Sequence, residues 1–129
     1  MARKILEKQV LLKWLIVIGG WFEVAIGILF QFLHLFIADM GIEVGPPIFL
    51  QLSGAMFICF GLLLVISARD TEKYAVIPKI NALLRFLVQP ATIYNMIIVP
   101  KFVPLLLGAT IYDITWAIIV LYLLRKLEY

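Results

Sequence analysis

The sequence predicts an all-α integral membrane protein, a single transmembrane domain over residues 1–129 folded as an up-down-up-down four-helix bundle with both termini cytoplasmic. Three observations carry this. Apolar runs of about 20 residues recur four times, and at 1.5 Å per residue each spans roughly 30 Å, the thickness of a bilayer's hydrocarbon core. Hydrophobic residues make up 64% of the 129 and charged residues 15%, with mean hydropathy +1.09, against roughly 45–50% and 25% in soluble domains. A chain this short exposes too much surface for a soluble core to absorb that excess. Finally, of the 11 Lys and Arg residues, Lys101 alone falls on the side opposite the rest, which orients the chain by the positive-inside rule.

Helix one is expected over about 14–36, KWLIVIGGWFEVAIGILFQFLHLF from Lys13, with Trp14 at the aromatic belt and a basic lead-in before it. That run is too long for a signal-peptide core and lacks a small-residue cleavage site. Gly41, Gly45 and Pro46-Pro47 make the turn into helix two, about 47–67. The loop ARDTEKYAVIPK interleaves acids and bases like a solvated segment, and Pro78 restarts the chain. Helix three is expected over about 79–99 with Pro90 inside it, a bend that membrane bundles tolerate. Helix four follows the VPKFVP turn, about 102–124, and stops at Arg125-Lys126. The basic clusters orient the chain and meet anionic headgroups, so the partner they imply is the lipid bilayer and not nucleic acid. The location is a multi-pass protein of a prokaryotic-type inner or cell membrane. Cys59, the one cysteine, lies in an apolar run and says little about redox compartment.

Polar residues inside the spans recur at helical spacing. Gly20, Glu23, Gly27, Gln31 and His34 share one face of helix one, and Asn81, Arg85, Gln89, Thr92 and Asn95 share one face of helix three. Helix two offers Gln51, Gly54, Ala55 and Ile58. Helix four offers Ala109, Asp113 and Ala117, flanked by Gly108, Thr110, Tyr112 and Thr115. Small and amide side chains suit close helix–helix contact, so these faces are expected to look inward. Glu23 lies about ten residues from Lys13 and Asp113 about eleven from Leu124, which puts both acids near mid-membrane. An ionised side chain there costs from roughly 2.5 to over 10 kcal/mol. The two acids must therefore be protonated, share a proton, pair with a base or line a wet cavity. Arg85 either snorkels back to the interface or reaches inward toward Asp113. The candidate intramembrane network is thus Glu23, Arg85, Gln89, Asn95, Tyr112 and Asp113, with Gln31, His34 and Gln51 as a non-cytoplasmic rim. No phosphate loop, CxxC, HExxH or GxSxG motif occurs, no catalytic residue or metal ligand set is assigned, and no cofactor is evident.

A short basic start, GGWFEVAIG in helix one, a glycine-bearing second helix leading into SARDTEK, ALLRFLVQP in helix three and YDITW in helix four together resemble the small DoxX-like and BphX-like four-helix membrane proteins. Some DoxX-type members are associated with quinone-linked redox complexes, so the resemblance implies quinone or lipid as a ligand and a larger membrane complex as a partner. GGWFEVAIG by itself resembles the small multidrug-resistance transporters. That likeness implies a proton and a lipophilic cation competing for Glu23 in a homodimer. The leading expectation is an accessory protein with a polar intramembrane cavity around the acid pair, a subunit of a membrane redox complex among its roles. The alternatives are a proton-coupled transporter of small lipophilic or cationic compounds and a membrane-embedded lipid isomerase, in which one carboxylic acid donates to an alkene and the other stabilises the cation. Whether the chain is an enzyme stays open at this point.

Overall fold

The computed structural model describes residues 2–43 and 45–129. Among them every regular element is helical. Helix α1 runs over Ala2–Asp39, α2 over Pro47–Ser67, α3 over Val76–Leu87, α4 over Gln89–Ile98 and α5 over Val103–Lys126, with a 3₁₀ turn at Pro100–Phe102. Three segments are long and apolar enough to cross a membrane: Arg3–Asp39, Pro47–Ser67 and Pro100–Lys126.

The basic lead-in belongs to α1, whose 38 residues measure about 57 Å, well beyond a bilayer core. Gly41 ends it with φ +73°, placing the Ile42 N–H on the Ile37 carbonyl (3.3 Å) and the Gly41 N–H on the Ala38 carbonyl (2.9 Å). This double closure needs a left-handed residue, which glycine supplies without strain. Pro47 opens α2, where the missing N–H costs nothing. Arg125 and Lys126 occupy the last turn of α5, favourably placed at the negative end of its dipole.

The third expected span is not one helix. α3 begins at Val76, ahead of the position expected from Pro78, and gives way to α4 at Val88. Pro90, in the first turn of α4, has no N–H to offer the Phe86 carbonyl, so the ladder is interrupted even though Val88 keeps helical angles (φ −77°, ψ −19°). Neither half is long enough to cross a membrane alone.

Packing is one-sided along the bundle. The buried apolar cluster consists of Leu12 and Ile16 of α1, Leu64 at the end of α2, Ala82 of α3, and Trp116, Ala117, Val120, Leu123 and Leu124 of α5, closed by Ala68 and Ala75 in the connecting loop. All of it sits at the end where α1 and α3 begin and α2 and α5 finish. Toward the other end, α1 and α2 stay together while α4 and the first half of α5 stand uncovered. Gln89 is the buried residue of α4, the buried residues of α5 start at Trp116, and a side chain added at Gly108 would meet nothing within 4 Å. The inward faces expected from spacing hold in the packed half; in the other half Gly27 and Gly54 stay buried between α1 and α2, while Asn95, Ala109 and Ala55 are exposed.

α1 and α2 approach through two glycine pairs. A Cβ on Gly20 would fall 2.6 Å from the Gly61 carbonyl oxygen, and one on Gly27 2.5 Å from that of Gly54. Both pairs are separated by two helical turns, so one antiparallel register brings backbone against backbone at both. Gly20→Val is accordingly expected to lower stability by about 1–3 kcal/mol, the usual cost of forcing volume into a packed contact. Unfolding by sodium dodecyl sulfate titration measures it; an unchanged midpoint would mean that the two helices do not touch at Gly61.

Candidate functional site

The site is built on Arg85. It lies one turn after Asn81 on α3, so the two side chains share a face, and the Arg85 Nε–H donates to Asn81 Oδ1 (2.9 Å). Because Nε only donates, this bond orients the amide and leaves Asn81 Nδ2 as the donor on the other side. That nitrogen lies 2.8 and 3.0 Å from the two oxygens of Glu23 on α1. Arg85 Nη2 also donates to Glu23 Oε1 (2.7 Å), and Nη1 donates to Asp113 Oδ1 on α5. One guanidinium therefore ties α1, α3 and α5 together. Arg85 is 5% exposed and Glu23 6%. The Asp113 side chain keeps 25% of its surface.

The walls are aromatic. The guanidinium carbon lies 4.3 Å from the Trp116 ring centre and 5.5 Å from that of Tyr112, within cation–π range. Trp116 is itself fixed, its Nε1–H donating to the Leu15 carbonyl (2.9 Å) and its ring lying over Gly19, where a Cβ would fall 2.5 Å from Nε1. Phe22 packs on Tyr112 with ring centres 4.5 Å apart. Gln89, one turn beyond Arg85 and beside the proline interruption, donates Nε2 to the Arg85 carbonyl (2.7 Å).

Arg85 thus reaches inward and joins two acids from distant parts of the chain. Of the six residues expected in the network, Glu23, Arg85 and Asp113 are directly bonded, and Gln89 and Tyr112 flank them. Asn95 is a correction: it is exposed on α4 and its amide bonds back to the Ala91 carbonyl (2.8 Å). Gln89 is the buried residue of α4, so the spacing that carries Asn81 and Arg85 inward does not carry Asn95 there. At the rim, Gln31 Nε2 donates to the Gln51 carbonyl (3.0 Å), while His34 lines an open depression of about 450 Å³ with Glu43 and Pro47. Asn81 belongs at the centre of the site; its spacing to Arg85 was the signal for it. Trp116 had no such signal, since only the fold places its ring on the guanidinium.

The arrangement has two chemical properties. One guanidinium against two carboxylates leaves the buried cluster with a formal surplus of one negative charge, which low-dielectric surroundings do not tolerate without a proton or a cation. Gln89 Oε1 and the Tyr112 hydroxyl oxygen, both buried, also lack hydrogen-bond partners among the described residues. Among the described residues no group of three or more His, Cys, Asp or Glu side chains is placed to hold a metal ion. Fold and site together define a helical protein with three segments long and apolar enough to cross a membrane and a buried ion-paired cluster between α1, α3 and α5. No family model matches this chain, and neither a curated protein nor a solved structure matches it.

Proposed function

We propose that this chain is a four-pass integral membrane protein in which the Glu23–Arg85–Asp113 cluster binds a small lipophilic or cationic compound in exchange for a proton. α3 and α4 together make the third, kinked crossing, giving up-down-up-down topology. The basic residues of the α1 start, the 68–75 loop and the α5 end place both termini in the cytoplasm. The carrying observation is the unbalanced carboxylate at the point where the packed half of the bundle gives way to the uncovered half. On the cytoplasmic side the apolar cluster seals the site. On the other side α4 and the first half of α5 are uncovered, so a membrane-soluble molecule reaches Asp113 from there. With no ligand, one proton balances the cluster's charge. A bound cation supplies the same charge, so the proton leaves to water as the cation enters.

Detergent-purified protein in weakly buffered solution tests this. Adding tetraphenylphosphonium is expected to release protons from wild type and none from the double variant E23Q/D113N. Its affinity is expected to fall about tenfold per pH unit on the acid side, one proton being exchanged per cation. Binding that is independent of pH, or no binding, would refute the exchange.

A second reading, an accessory subunit of a larger complex, is favoured by the uncovered α4 face, which presents Tyr94 and Asn95. The resemblance to DoxX-like proteins points the same way and adds quinone or lipid as the ligand. Copurification of a stable membrane partner from native membranes that is lost on Asn95→Leu would support this reading over exchange.

A further inference from the structure

The two acids of the cluster differ in every contact they make, and we infer that they divide the work: Glu23 is the permanent counter-ion of Arg85, and Asp113 carries the exchangeable proton and receives the cation. This rests on the reading of the cluster as a proton-exchange site and names the residue that performs the exchange.

Protonating Glu23 works against the hydrogen bonds it accepts. Its Oε1 accepts from both Arg85 Nη2 and Asn81 Nδ2, and its Oε2 accepts from Asn81 Nδ2 at 3.0 Å. A hydrogen on Oε2 would point at a nitrogen that can only donate, because Asn81 Oδ1 is committed to Arg85 Nε. The amide thus acts as a lock: by serving Arg85 with its oxygen and Glu23 with its nitrogen, it holds Glu23 as the carboxylate. Asp113 is different. Arg85 Nη1 reaches its Oδ1, while Oδ2 has no hydrogen-bond partner among the described residues. It is also the more exposed of the two, at 25% against 7% for the Glu23 side chain. A proton on Oδ2 therefore breaks no bond, neutralises the surplus charge and stays reachable.

Among the described residues, the charged or titratable groups that meet at the cluster are Glu23 from α1, Arg85 from α3, and Asp113 and Tyr112 from α5. α4 contributes the neutral Gln89, and among the described residues α2 contributes none to the cluster. The exchange balances: the Asp113 O–H bond breaks, its proton goes to water, and the carboxylate pairs with the incoming cation. The class of ligand follows. A cation with an apolar body fits, since its charge meets Oδ2 and its body meets Tyr112, Phe22 and lipid; a lipophilic anion would face an already negative cluster.

Infrared spectroscopy on the intact wild-type protein tests the assignment without a variant that could fail to fold. A protonated-carboxyl C=O band is expected at neutral pH. It should shift when the protein carries carboxyl-¹³C aspartate and stay in place with carboxyl-¹³C glutamate. A shift with glutamate label, or no protonated-carboxyl band, would overturn the assignment. Tetraphenylphosphonium is then added to the same sample. Loss of the aspartate band with release of protons supports both the assignment and the exchange. An aspartate band that the cation leaves untouched keeps the assignment and removes the exchange. Proton release accompanied by loss of a glutamate band keeps the exchange and overturns the assignment.

Discussion

Arg85→Met is expected to destabilise the protein by about 3–5 kcal/mol, because it strands the two buried acids whose shared partner is gone. Methionine matches the length and packing of the arginine stem, so the loss reports the charge and the three hydrogen bonds rather than a cavity. The companion variant E23Q/R85M/D113N carries no net charge at the site. It is expected to recover most of the lost stability, since exchanging a whole buried network for neutral groups of similar size is close to neutral. Unfolding in sodium dodecyl sulfate titration, read by helicity, gives both values. If R85M alone unfolded at the wild-type midpoint, Arg85 would be turned to the interface and the joining of α1, α3 and α5 through it would be wrong.

Trp116→Ala follows, with an expected loss of about 3–5 kcal/mol. The ring fills the space over Gly19, donates to the Leu15 carbonyl and covers the Arg85 guanidinium. Removing it opens a void in the packed half and uncovers the ion cluster together. Trp116→Phe keeps most of the packing and loses the hydrogen bond to Leu15, so it is expected to cost about 1–2 kcal/mol. Similar losses in W116A and W116F would mean that the hydrogen bond, and not the ring's volume, holds α5 against α1.

Much of the site was readable before the fold was known, for definite reasons. Acids in the middle of apolar runs are conspicuous, and counting residues inward from Lys13 and Leu124 put Glu23 and Asp113 at matching depth. Helical spacing put Asn81, Arg85 and Gln89 on one stripe. Spacing could not say whether Arg85 turned toward the interface or the interior, because a long flexible stem reaches both. It also misplaced Asn95. The rule of three and four residues assumes a continuous helix, and the ladder is interrupted at Val88 ahead of Pro90, with Gln89 the buried residue of α4.

The one-sided packing was not readable at all. Gly20 and Gly27 announce a close neighbour but do not name it, and only the antiparallel register with Gly61 and Gly54 shows that α1 and α2 stay together along their length. By itself the sequence determined that the chain is helical and carries segments long and apolar enough to cross a membrane, because hydropathy and backbone hydrogen bonding in lipid depend on composition and run length alone. The tertiary structure decided which charges meet, how the Asn81 amide divides its two ends between Arg85 and Glu23, and that Asp113 keeps an open side. Those depend on where separate helices place their side chains to within an ångström or so, and linear order does not carry that information.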